Sequence, residues 1–148
     1  MDTDLPLIDE HRLPVASPVA AVWEALAAWI ARTQLGTNTL FAHLVGTDPR
    51  RASGTIPDVG ATIPGFAVTE SVPGDHITLS GRHRFSRYLL IFTVSGAPGD
   101  AGGSVLSARS HATFPGVLGW GYRRFVISSG AHGLIVERML TQIRNDVE

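Results

Sequence analysis

Three consecutive stretches in the middle of the chain alternate apolar and polar residues, and tight reversals join them. Period-two alternation marks a strand with one buried face, so this region commits the chain to an antiparallel sheet that needs a cover. Phe66, Val68, Glu70 and Val72 share one face, and Ala67, Thr69 and Ser71 the other. Pro73-Gly74-Asp75-His76 follows, and Gly74-Asp75 suits the centre of a type II′ hairpin, whose first residue needs a positive φ. That turn predicts Val72 opposite Ile77, Glu70 opposite Leu79, Val68 opposite Gly81 and Phe66 opposite His83. A second reversal at Ser86-Arg87, itself poor turn chemistry, pairs Phe85 with Tyr88, His83 with Leu90, Gly81 with Phe92 and Leu79 with Val94. One face then stays apolar through three strands, as a core requires.

The flanks supply the cover. Residues 7–16 read as a first strand, and Pro14 assigns it to a sheet edge or a strand end. Ser17 before Pro18 is an N-cap followed by proline at the first helical position. Val19, Val22, Trp23, Leu26, Trp29 and Ile30 then form an apolar stripe that predicts a helix to about Arg32. The two tryptophans are most simply core. Residues 39–45 predict a second short helix, and 47–64 a long loop with at most one short strand. Residues 95–104 are a glycine-rich hairpin loop, and 105–114 a further strand with Leu106, Ala108, Ser110 and Ala112 on its small face. Arg109 and His111 lie opposite.

After Pro115-Gly116 a long helix is expected from about Leu118 to Asn145. Leu118, Tyr122, Phe125, Ser129, His132, Val136, Leu140 and Ile143 lie on one stripe. Its middle is small, and Gly130 and Gly133 each cost roughly 1 kcal/mol against alanine in a helix. Small residues in mid-helix leave room for a close neighbour, which is either the sheet or a ligand.

Composition narrows the function. The 148 residues fit one domain spanning 1–148, and 44% hydrophobic residues fit a globular core. Cysteine is absent, which removes disulfides, thiol nucleophiles and zinc–thiolate sites. All 12 basic residues are arginine, which removes a Schiff-base lysine and a P-loop lysine. The net charge of −1 gives no global field for nucleic acid. No apolar run approaches the roughly 20 residues of a membrane span, and the acidic start lacks the pattern of a secretory signal. A cytoplasmic location and no cofactor are the expectations, and a homodimer is compatible with the sequence.

The order strand, helix, short helix, several antiparallel strands and one long terminal helix resembles the helix-grip fold. The segment from Pro14 to Leu26 is similar to the opening strand and helix of the START/polyketide-cyclase-like (SRPBCC) superfamily. Residues 81–92 and 112–124 are similar to an actinobacterial branch of it. The resemblance implies an α+β domain whose curved sheet wraps the C-terminal helix around a cavity for lipids, polyketides or other apolar molecules. It implies no shared catalytic set, because that superfamily mixes carriers, cyclases, dehydratases and partner-binding domains.

Within this frame the candidate lining residues are Phe66, Val68, Leu79, Phe85, Tyr88, Leu90 and Phe92 from the sheet. Tyr122, Phe125, Ser129, Gly133 and Val136 come from the helix. His83, His132 and Glu70 fall on the pocket side in the predicted register and are the candidate acid/base groups, since histidine titrates near neutrality and a carboxylate can fix its tautomer. The plainer reading makes both histidines hydrogen-bonded core residues. His11 is expected to be an exposed imidazole. The spacing gives no metal signature, and Ser128 and Ser129 lack a nucleophile-elbow motif. Arg82, Arg84 and Arg87, with Arg109 and His111, read as solvated strand exteriors or as an anion or partner strip. Arg123 and Arg124 open the helix, where Arg124 could meet a ligand carboxylate. Two classes follow: a carrier of a small hydrophobic molecule, or a cyclase, aromatase or dehydratase acting in the same pocket.

Overall fold

The alternating stretches fold into one six-stranded antiparallel sheet in a computed structural model that describes residues 7–33, 53–63, 66–83, 86–97, 102–113 and 131–147. The elements are β1 (Leu7–Val15), α1 (Val19–Thr33), β2 (Thr62–Ile63), β3 (Phe66–Val72), β4 (His76–His83), β5 (Ser86–Gly96), β6 (Ser104–Thr113) and α2 (Ala131–Val147). Spatial order is β1-β6-β5-β4-β3-β2, so β1 lies at one edge, the place in a sheet where a proline such as Pro14 is tolerated. Both helices cover the same face. α1 packs over β5 and β6, α2 over β1 and β6, and the helices meet each other.

The helix stripe predicted from Val22 to Ile30 is the one that is buried. Val22, Leu26, Trp29 and Ile30 are each at most 2% exposed and join Val68, Leu79, Phe92, Val94, Leu106, Val136, Leu140 and Ile143 in one core. Pro18 contributes the first helical carbonyl, accepting from Val22 N at 3.1 Å. The Ser17 carbonyl instead accepts the buried Ser104 hydroxyl at 2.6 Å, which ties the start of β6 to the β1–α1 link. Trp29 Nε1 donates to Gln142 Oε1 at 3.0 Å, and Arg32 pairs with Asp146 at 2.7 Å, so two bonds clamp α1 to α2.

The β3–β4 hairpin departs from the expected register. Val72 pairs with His76, Ser71 with Ile77 and Glu70 with Thr78, while Val68 pairs with Leu79. Two causes combine. The turn is centred on Pro73-Gly74: Asp75 N donates to Val72 O at 2.9 Å and Gly74 has φ +78°. Proline followed by a positive-φ glycine is the type II pattern, which competes with the expected II′ turn. An extra residue, Thr69, then bulges between Val68 and Glu70. Val68 stays on the helix-covered face, but Glu70 and Val72 turn to the outer face, and Val72 is 44% exposed.

β4 and β5 close two residues from the expected reversal, with His83 opposite Ser86, Gly81 opposite Tyr88, Leu79 opposite Leu90 and Ile77 opposite Phe92. Each partner is thereby displaced by four residues, and an even slip preserves the face of every side chain, so the apolar face remains as predicted. Among the described residues there is one N-terminal helix of the two that the sequence suggests. The second, over 39–45, falls outside the described residues, as does the predicted long helix before Ala131. No described helix is long and apolar enough to cross a membrane.

Candidate functional site

The strand directions define two ends of the covered face. At the turn end lie the 73–75 reversal and the start of α1; at the distal end lie His83, Ser86 and Thr113. Packing differs between them. At the turn end Val94, Phe92 and Leu106 are at most 1% exposed, and Trp29 meets Phe92 edge-on at 6.3 Å and 72°. Toward the distal end closure weakens: Leu90 is 7% exposed, and Phe66, Gly81, Tyr88 and Ala112 are only partly buried. Phe66 and Tyr88 form an edge-to-face pair at 5.0 Å and 67°. Aromatic side chains grouped on one face offer large apolar contact with defined geometry.

β6 supplies the small side of this region. Ala108, Ser110 and Ala112 lie on the covered face, in register with Phe92, Leu90 and Tyr88 of β5. Ser110 is 6% exposed, and its Oγ has no hydrogen-bond partner among the described residues. The distal end therefore combines an aromatic pair, a small-residue strip and one buried hydroxyl. Such a mixture, mostly apolar with few polar groups, is the usual lining of a small-molecule site.

The candidate residues are distributed as follows. Phe66, Val68, Leu79, Tyr88, Leu90 and Phe92 all belong to the covered face; Val68, Leu79 and Phe92 are core, while Phe66 and Tyr88 form the distal aromatic pair. Val136 is 1% exposed on α2. His83 continues the register of Leu79 and Gly81, and His132 and Gly133 lie in the first turn of α2; these three are described by backbone alone. Phe85, Tyr122, Phe125 and Ser129 fall outside the described residues, with Arg84, Arg123, Arg124 and Ser128.

Glu70 does not share that face. It meets the imidazole Nε2 of His76 on the outer side, and His76 Nδ1 lies 2.5 Å from Asp75 Oδ2. The two carboxylates raise the His76 pKa above its ordinary value, chiefly through the Asp75 hydrogen bond and then the Glu70 bond, with burial opposing them. This histidine was not singled out in the sequence. The signal for it is Pro73-Gly74, because a type II turn there places His76 opposite Val72 and beside Glu70.

His11 is not the freely exposed imidazole expected. Its register partner is Ala108 on the covered face, and its Nδ1 lies 3.6 Å from Glu137 Oε1 on α2. The arginine strip is divided. Arg109 donates from Nε and Nη2 to Glu10 at 3.3 Å, Arg87 is exposed, and His111 is 6% exposed on the outer face instead of solvated. No cluster of three metal-ligating side chains occurs among the described residues.

Neither family models nor curated proteins match this chain. Solved structures do. Protein CV1439 from Chromobacterium violaceum superposes with a TM-score of 0.56 at 18% identity, over 95% of this chain and 98% of that one. The Aha1 dimer from Colwellia psychrerythraea gives 0.58 at 14% identity, over 94% of each chain. The di-domain ARO/CYC StfQ of the steffimycin biosynthetic pathway gives 0.53 at 17% identity, over 97% of this chain and 52% of its own length. At these identities the likeness is one of fold alone.

Proposed function

We propose that this protein binds a small hydrophobic molecule, lipid- or polyketide-like, between the distal end of the sheet and the C-terminal helix. The observation that carries the reading is the change of packing along one face, from a sealed core under Trp29 to a partly buried aromatic pair, Phe66 and Tyr88. A face needed only for stability is expected to close along its whole length. Support also comes from the similarity of residues 14–26, 81–92 and 112–124 to the START/polyketide-cyclase-like superfamily, and its actinobacterial branch in particular. The test is native mass spectrometry of protein purified from its own host, together with titration by an environment-sensitive apolar dye. A retained ligand or a saturable isotherm near one site per chain is expected. Ala112→Trp, which fills the face opposite Tyr88, should abolish saturable binding without unfolding the chain. Dye binding unchanged in a folded Ala112→Trp variant places the site elsewhere and defeats the reading.

A second reading makes the same pocket catalytic, and the fold shared with StfQ, named as an ARO/CYC protein, favours keeping it. His83 and His132 are then the acid/base groups of a cyclase, aromatase or dehydratase. Replacing either should cut turnover by about 10²–10⁴ while apolar affinity holds. A carrier would instead lose affinity, with no turnover to lose.

A further inference from the structure

The two buried serines at the ends of β6 are in opposite states. Ser104 is fully buried at the turn end, and its hydroxyl donates to the Ser17 carbonyl at 2.6 Å. Ser110 is 6% exposed at the distal end, and its hydroxyl has no partner among the described residues. β6 is an interior strand, paired with β1 at Asp9 and with β5 at Leu90 on either side of Ser110. The backbone groups beside Ser110 serve those two ladders, whereas its side chain leaves the sheet on the covered face. On that face its neighbours are Ala108 and Ala112 along β6, Leu90 across on β5 and Asp9 across on β1. Leu90 and the two alanines can neither give nor take a hydrogen bond, and the Ser110 hydroxyl makes none among the described residues. A buried hydroxyl that makes no bond is disfavoured relative to alanine unless something else completes it.

We propose that the Ser110 hydroxyl is the hydrogen-bonding anchor of the ligand, and that the ligand is a flat aromatic molecule carrying a hydroxyl or carbonyl group beside β6. This rests on the pocket reading above. Ser110 both donates and accepts, so either group satisfies it. Tyr88, paired with Ala112, is the diagonal neighbour of Ser110, and diagonal neighbours in an antiparallel pair lie about 7–8 Å apart. A fused bicyclic ring held at Ser110 by its oxygen therefore reaches the Tyr88–Phe66 pair, which offers it an aromatic wall. The small residues Ala108 and Ala112 leave the approach to the hydroxyl unobstructed from the same strand.

The experiment compares 1-naphthol with naphthalene, two probes alike except for one hydroxyl, by isothermal titration against the intact chain and its Ser110→Ala variant. The intact protein should bind 1-naphthol about three- to tenfold more tightly, the ratio of one net hydrogen bond. In Ser110→Ala the ratio should fall to about one, with naphthalene affinity unchanged within about twofold. Thermal unfolding supplies a second readout, since Ser110→Ala should melt at the same temperature as the parent or higher. A ratio that survives in Ser110→Ala moves the anchor to another residue and overturns the inference while the pocket stands. A melting point lowered by about 2–4 °C would show that the hydroxyl is already bonded within the protein, and also overturns it. Failure of both probes to bind the intact protein removes the pocket itself, and the anchor with it.

Discussion

Deleting Thr69 separates the bulged hairpin from the regular one that the sequence alternation implies. In the structure Val68 pairs with Leu79 and Glu70 with Thr78, so Thr69 is the extra residue. Its side chain is exposed, and its hydroxyl reaches the Thr78 carbonyl only at 3.5 Å, the outer limit of a hydrogen bond. Removing it joins two pairs that are already adjacent on β4 and moves no side chain to the other face. The expected cost is about 1 kcal/mol or less, the value of one weak bond. In an unbulged strand the same deletion would invert everything on the N-terminal side of the cut. Val68 and Ile63, each 2% exposed, and the partly buried Phe66 would leave the covered face. At about 1.5–3 kcal/mol for each fully buried side chain and less for Phe66, that loss is roughly 4–7 kcal/mol. It is comparable to the whole stability of a typical domain, about 5–15 kcal/mol. Urea denaturation with an unchanged m-value measures the difference directly. A folded deletion variant with a small midpoint shift supports the bulge; loss of the cooperative transition refutes it.

The remaining expectations concern the core and the clamp between the helices. Phe92→Ala removes a fully buried ring that meets Trp29 edge-on, and should cost about 3–5 kcal/mol in chemical denaturation. Ser104→Ala strips the Ser17 carbonyl of its buried donor and should cost about 1–3 kcal/mol, in contrast to the silent change expected at Ser110. Asp146→Asn breaks an exposed pair with Arg32 and should lower stability by about 0.5 kcal/mol or less, an effect that fades in high salt.

The sheet was legible wherever buried alternation and turn chemistry agree. On β4, β5 and β6 the residues expected on the apolar face fall on the covered face, even with the β4–β5 pairing slipped by four. β3 misleads because Val68, Glu70 and Val72 keep a clean period of two in sequence while Thr69 bulges in space. Nothing in residues 66–72 announces the extra residue. The deciding signal sits outside the strand, in Pro73-Gly74, where fixed φ and then positive φ set the turn one residue earlier. The covered face was legible as an apolar face that includes Phe66 and Tyr88, but not their pairing, because the expected register set Phe66 opposite His83 and Tyr88 opposite Phe85. It was not legible as a face with an unsatisfied hydroxyl. The partners of buried serines come from far along the chain, as Ser17 does for Ser104 across 87 positions, and sequence patterning carries no record of them.

Glu70 bears on whether the proposed pocket can do chemistry, because it was the carboxylate expected beside the candidate histidines. The bulge gives it instead to His76, which also holds Asp75, on the outer face. An imidazolium between two carboxylates makes two charge-assisted bonds, which is why its pKa is raised from 6.5. A raised folded-state pKa means that the folded protein holds this proton more tightly than the unfolded chain. The resulting stability is fully present below the unfolded value and is lost as pH rises through the folded value. Since Glu70 and Asp75 are 38% and 64% exposed, solvent screens the pair, and the contribution should stay near about 1 kcal/mol or less. Glu70→Gln should therefore flatten the pH dependence of stability above neutrality, read as urea midpoints from pH 6 to pH 9. It should leave apolar dye affinity, and any turnover later found, unchanged within about twofold, since it touches nothing on the covered face. His76→Gln should flatten the same profile more completely. If Glu70→Gln leaves the pH profile intact but abolishes ligand binding or turnover, the carboxylate faces the pocket after all. The bulge would then be misplaced, and the proton-transfer reading would regain the base that this geometry takes away.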